Sequence, residues 1–160
     1  MKVGDLMSRK PRTCSAGETL DRAARIMWED DCGCVPVVDE QNRVIGMITD
    51  RDICMAAYTQ GVPLSASSIA SAMAKNPISC APSDMPATAE HLMQKHRIRR
   101  LPVVDDKRRL IGIVSLADLA RAMATRQTFG ADGMTWQAIA HTLCAVSAPR
   151  RFVPPSVAAE

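Results

Sequence analysis

The chain has 160 residues, 47% of them apolar, and a formal net charge of +3. That length suits one compact domain, or two small units sharing a core, and needs no disulfide staples. No run of about eighteen apolar residues occurs, so a membrane span is excluded, and so small a charge gives no ground for nucleic-acid binding. The opening "MKVGDLMSRKP" shows no apolar h-region and no small-residue cleavage site, so the cytoplasm is the expected location. The cysteines at 14, 32, 34, 54, 80 and 144 are accordingly read as free thiols.

Sliding the sequence by 66 positions superposes it on itself without a gap from residue 3 to 56, with 14 identities. Each copy opens with a short extended piece, Arg12–Cys14 or Ile78–Cys80. A helical stretch follows. In copy one Leu20, Ala23, Ala24 and Met27 share a face, and in copy two Ala89, Leu92, Met93 and His96 do. Asp84 is the expected N-cap of the second of these helices, with Pro86 in its first turn. The strands "VPVVD" and "LPVVD" come next, then polar turns, then "RVIGMIT" and "RLIGIVS". Closing helices start near Asp50 and Leu116, the first ending at Gly61. The expected organisation is a first repeat over 1–61, a linker over 62–68 and a second repeat over 69–126. A helical extension over 127–147 and an extended or disordered tail over 148–160 complete the chain. The extension should place Trp136, Ile139, Ala140, Leu143 and Val146 on one face. The fold class is α/β (α+β): two β-α-β-β-α repeats closed as a pseudo-twofold pair.

Both copies end their last strand on a hydroxyl, Thr49 or Ser115, with an aspartate, Asp52 or Asp118, three residues on. Free N–H groups at a helix start favour an anion, and a carboxylate there can accept from the vicinal hydroxyls of a ribose. The glycine three residues before the hydroxyl lets something approach the strand closely. Together these groups describe a ribose-phosphate grip. A plain helix cap is the competing reading, and the repetition in register favours the grip.

The ordered pieces "VPVVD" with "GMITDRD" and "LPVVD" with "GIVSLAD" resemble the cystathionine β-synthase (CBS) domain. The likeness covers about residues 3–124 and extends to small bacterial proteins made of one CBS pair. It implies two repeats packed sheet to sheet, with clefts between them for an adenine nucleotide such as AMP, ADP or ATP, or sometimes for S-adenosylmethionine. The ligand-binding residues it implies are Thr13, Val35, Pro36, Thr49 and Asp52, and Ser79, Leu101, Pro102, Ser115 and Asp118. Basic residues before the "hPVV" strand should face the phosphates. Copy two supplies Arg97, Arg99 and Arg100, where Gly33 and Cys34 replace the last two in copy one. The expectation is therefore that the Asp118 cleft binds phosphate better than the Asp52 cleft.

The leading reading is a non-catalytic regulatory module that senses adenine nucleotide and acts on a regulated protein the sequence does not name. It needs no obligatory cofactor or metal. No nucleophile elbow, phosphate-cradling glycine loop or carboxylate pair with a base is present. His91, His96 and His141 show no metal-site spacing beside Cys32 and Cys34. Two alternatives stand: a dimeric scaffold with vestigial clefts, and a thiol sensor using Cys32 and Cys34. A homodimer is expected. Residues 3–56 carry 7 basic and 10 acidic side chains and residues 69–122 carry 9 and 5, which suggests a head-to-tail arrangement.

Overall fold

A computed structural model describes residues 1–124 and 135–148. The expected tail beyond residue 148, and residues 127–134 of the expected extension, fall outside the described residues. The elements in chain order are α1 (Val3–Leu6), β1 (Ser8–Arg9), α2 (Leu20–Glu29), β2 (Cys34–Val38), β3 (Val44–Thr49) and α3 (Asp50–Gln60). Two single 3-10 turns at Leu64–Ala66 and Ile69–Ser71 lead into β4 (Ala74–Lys75), α4 (Pro86–His96), β5 (Arg100–Val104), β6 (Leu110–Ser115), α5 (Leu116–Ala124) and α6 (Trp136–Ser147).

The repeat is visible residue by residue. Both antiparallel hairpins, β2–β3 and β5–β6, shift register at one point, between Val37 and Val38 and between Val103 and Val104. The six non-glycine residues with positive φ form three pairs 66 apart: Lys10 with Asn76, Asp31 with Arg97 and Asn42 with Arg108. The extended pieces contribute one bridge each, Cys14 to Val37 and Cys80 to Val103, both parallel. Gly61 closes α3 with φ 64°, where glycine avoids the Cβ penalty.

The copies exchange their first elements. β1 pairs with β6 of copy two, giving the sheet order β1-β6-β5, and β4 pairs with β3 of copy one, giving β2-β3-β4. Val3 and Met7 are buried in the copy-two core, while Ile69 is buried in the copy-one core with Met73 packed against it. This exchange accounts for the conserved spacing of the two strand glycines. A Cβ at Gly46 would meet Met73 Sδ at 2.5 Å, and one at Gly112 would meet Met7 Sδ at 2.6 Å and the Ser8 carbonyl at 2.8 Å. What approaches each strand at that glycine is the other copy's opening segment.

Helix amphipathicity sets the rest. Leu20, Ala23, Ile26 and Met27 of α2 are buried, as are Ala89 and Met93 of α4. His96, expected on the inner face, is exposed. The N-cap of α4 is Met85, because Asp84 turns back to accept from the Ala81 N–H at 2.8 Å. In α6 the buried side is rotated from the expected one. Ile139 and Thr142 face inward, while Trp136 and Leu143 are exposed. The cause is polar: the Thr142 hydroxyl donates to the buried Glu90 carboxylate on α4. A buried carboxylate left without that partner would be costly, so the pair sets the helix's rotation.

Candidate functional site

The strand-to-helix turns carry the hydroxyl–aspartate pairs. Thr49 Oγ1 donates to Asp52 Oδ2 at 2.7 Å, the Thr49 N–H reaches the same oxygen at 3.0 Å, and the Asp52 N–H returns to Thr49 Oγ1 at 3.2 Å. Ser115 and Asp118 repeat this at 2.6, 2.8 and 3.1 Å. Each pair is thus a capping box that uses one carboxylate oxygen. The second oxygen distinguishes the copies. Asp118 Oδ1 accepts from Arg121, whereas no protein donor among the described residues reaches Oδ1 of Asp52.

Strand alternation decides what lies beside these turns. Cys34 is opposite Thr49 and Pro36 opposite Met47; Arg100 is opposite Ser115 and Pro102 opposite Ile113. These residues share the sheet face turned away from each copy's own core, to which Val35, Val37, Leu101 and Val103 belong. Val35 and Leu101 are fully buried there. The two faces confront each other, since Arg100 of copy two lies against copy one. A Cβ at Gly33 would stand 3.4 Å from Arg100 Nη2 and 3.1 Å from Asp50 Oδ2. The missing side chain at Gly33 leaves room for the guanidinium. Arg100 of copy two thus lies close to the start of α3 in copy one. Arg99 turns elsewhere, its carbonyl accepting from the Leu116 N–H at 2.9 Å and its Nη2 donating to Ser147 Oγ at 3.4 Å. Arg97 is the exposed left-handed C-cap of α4.

Toward the centre of the molecule the hairpin turns meet. Arg43 and Arg109 form an antiparallel bridge, the Val44 N–H donating to the Arg108 carbonyl and the Leu110 N–H to that of Asn42. Beside it a cleft of about 610 Å³ is lined by Asp39, Arg43, Ile45, Asn76, Ser79 and Arg108, among others. Ser79 is thus placed in a cleft, and Thr13, its counterpart, is half-buried. A second hollow of about 620 Å³ lies among Gln41, Arg43, Lys107 and Arg109. Sequence reasoning passed over these basic groups. Arginine at the same position of both copies was the available signal.

The Cys34 thiol is held neutral. Burial pushes Cys34 up to about 11, against a smaller opposing effect of Arg100. Cys32 Sγ donates to the Cys34 carbonyl at 3.4 Å. A thiol sensor requires an accessible thiolate, which Cys34 does not offer.

Residues 3–58 and 66–125 each match the CBS domain. The chain belongs to the CBS domain family. This CBS pair is 37% identical over 128 residues to the CBS domain-containing protein YhcV of Bacillus subtilis, a match covering 80% of the chain and 89% of YhcV. It is 35% identical to a homoserine O-acetyltransferase of Methanococcoides burtonii over 119 residues, 74% of the chain but 23% of that enzyme. The chain thus spans about a quarter of that relative's length. Among solved structures it is similar to a CBS domain pair in complex with 5′-methylthioadenosine and S-adenosylmethionine. There the TM-score is 0.71 and the identity 30%, covering 78% of this chain and 96% of the other. No described helix is long and apolar enough to cross a membrane.

Proposed function

We propose that the pair is a non-catalytic sensor that binds an adenosyl ligand, an adenine nucleotide of the AMP, ADP or ATP type, between its two sheets. CBS pairs are regulatory ligand-binding modules, and a pair 30% identical to this one carries two adenosyl compounds. The observation that carries the reading is the meeting of Arg100 with the start of α3 across the sheet interface. It supports the reading because a guanidinium of one copy then lies near Asp50, in the strand-to-helix turn of the other copy that also carries Thr49 and Asp52.

In this reading Asp52 Oδ1 accepts from the ribose while Oδ2 keeps the cap, and Arg100 meets the phosphate. At the other turn a ribose competes with Arg121 for Asp118. Because the groups come from both copies, bound ligand favours one relative placement of the sheets. Only that difference in affinity can shift the pair's geometry and be read by a regulated protein.

Thermal melting with AMP, ADP, ATP, NADH and S-adenosylmethionine tests the reading. A ligand at 100 times its Kd adds about 2.7 kcal/mol, a readily measured shift. A melting temperature unmoved by all five would favour a scaffold with vestigial clefts.

A further inference from the structure

The hairpin turns carry cations that neither hydroxyl–aspartate turn uses. Gln41 and Arg43 of copy one and Lys107 and Arg109 of copy two line the hollow of about 620 Å³, and no acidic side chain among the described residues lines it. Arg43 also lines the neighbouring cleft, where Arg108 joins it. Arg43, Lys107, Arg108 and Arg109 therefore gather where the two copies meet.

The acidic residues of these turns are committed to the backbone. Oδ1 of Asp39 accepts from the N–H groups of Gln41 and Arg43 at 2.9 and 2.8 Å. Oδ1 of Asp105 accepts from those of Lys107 and Arg109 at the same distances, 2.9 and 2.8 Å. Each carboxylate thus closes its own turn. The second oxygen of Asp105 reaches Arg109 at 2.7 Å, but that of Asp39 stands 3.9 Å from Arg43. Lys107 and Arg108 have no ion pair among the described residues. Glu40 and Asp106 are exposed and stand outside the lining of the hollow.

The backbone holds the cations in place before any ligand arrives. The Arg43–Arg109 bridge joins the turns, and the Asn42 side chain donates to the Leu110 carbonyl at 3.1 Å. Arg108 adds a second signal. It has φ 62°, and its counterpart Asn42 has φ 59°. Asparagine is favoured in that left-handed conformation and arginine is not. Copy two therefore places a guanidinium where the backbone prefers a short side chain.

Distance separates this hollow from the Thr49–Asp52 turn. From Arg43 to Thr49 the chain runs along β3 for about 20 Å. The phosphates of a mononucleotide held by its ribose at Asp52 do not span that gap. Three cations and an amide around one hollow suit a compact anion with several charged oxygens, each able to take a charge-assisted hydrogen bond.

We propose that the hollow between the hairpin turns binds an inorganic oligophosphate, such as tripolyphosphate, held by Arg43, Lys107 and Arg109 with Arg108 at its edge. The anion ties the turn of one copy to that of the other, and it needs no adenosyl ligand to bind.

Calorimetric titration of sodium tripolyphosphate at low ionic strength tests this, with sodium sulfate at matched ionic strength as the control for screening. One tripolyphosphate should bind per chain. Arg43→Gln and Lys107→Gln should each weaken it about tenfold, the scale of one charge-assisted hydrogen bond. Circular dichroism should not change, because the bridge at Arg43 is made by backbone. Arg108→Asn, which suits the turn as Asn42 does, should weaken the anion while melting no lower than the wild type. Arg100→Ala should leave tripolyphosphate binding unchanged. Binding no tighter than that of sulfate, binding lost with Arg100→Ala, or binding indifferent to Arg43→Gln and Lys107→Gln would each overturn the proposal.

Discussion

Arg43 and Arg109, 66 residues apart, pair with each other across an antiparallel backbone bridge. The pseudo-twofold axis passes between a residue and the repeat counterpart it pairs with. The bridge therefore marks where the copies are stitched together and sets one arginine on each side of that axis. Each also has an acidic neighbour in its own turn, Asp39 at 3.9 Å from Arg43 and Asp105 at 2.7 Å from Arg109. Those partners offset part of the basic charge of the central hollows.

Phosphate affinity should follow the cross-copy arginine. Arg100→Ala should weaken ATP by about 10- to 100-fold, the worth of one charge-assisted hydrogen bond to a phosphate. Adenosine, with no phosphate, should bind nearly as before. Titration calorimetry with both ligands checks this, and equal losses would show that Arg100 only supports the fold.

The glycine of each strand should be structural. Each glycine faces a movable methionine Sδ, but Gly112→Ala drives a Cβ to 2.8 Å from the Ser8 carbonyl, whereas the nearest backbone atom at Gly46, the Ala74 carbonyl, stands at 3.1 Å. Overpacking of this kind costs about 1–3 kcal/mol, so Gly112→Ala should melt lower than Gly46→Ala. Denaturant titration of the two variants measures the difference.

These glycines also show how far the sequence could be read. The 66-residue period, the hairpins and the helix starts at Asp50 and Leu116 were legible because alternation, turn residues and caps are local signals. The exchanged strands were not. Ser8–Arg9 and Ala74–Lys75 have two residues each, too short to alternate, and they pair with the other copy. The same limit applied at Asp84, where a turn competed for the carboxylate, and at α6, whose rotation depends on Glu90 52 residues away. The pairing of Thr49 with Asp52 and of Ser115 with Asp118 was legible from spacing. The reach of Arg100 to Gly33, and Arg121's hold on Asp118, required coordinates.

Removing the Thr142 hydroxyl should loosen α6. Thr142 is fully buried and Glu90 nearly so, so Thr142→Val leaves a buried carboxylate without that donor. The expected cost is about 1–3 kcal/mol. Hydrogen exchange should quicken over residues 136–147 and stay unchanged in α2. Exchange as slow as in the wild type would show that α6 is held by apolar contact alone.

Stability should fall in alkali. Burial raises Cys14 and Cys34 from 9.0 to about 11 and Cys80 to about 12, so the folded chain keeps protons that the unfolded chain releases. That stabilisation is complete below pH 9 and is lost as pH rises through about 11 to 12. Urea midpoints between pH 8 and 11 should decline, and replacing Cys80 with alanine should flatten the decline. At pH 8 a thiol reagent should modify Cys54 and Cys144 first, because both are exposed.

The ribose grip is tested most directly by calorimetric titration of S-adenosylmethionine and AMP into the wild type and the Asp52→Ala, Asp118→Ala double variant. Each substitution also removes a capping carboxylate, at a cost of about 1 kcal/mol, so circular dichroism must first show both proteins folded. The account predicts saturable binding of at least one ligand to the wild type and none to the folded double variant. Binding of equal strength to both proteins would contradict it.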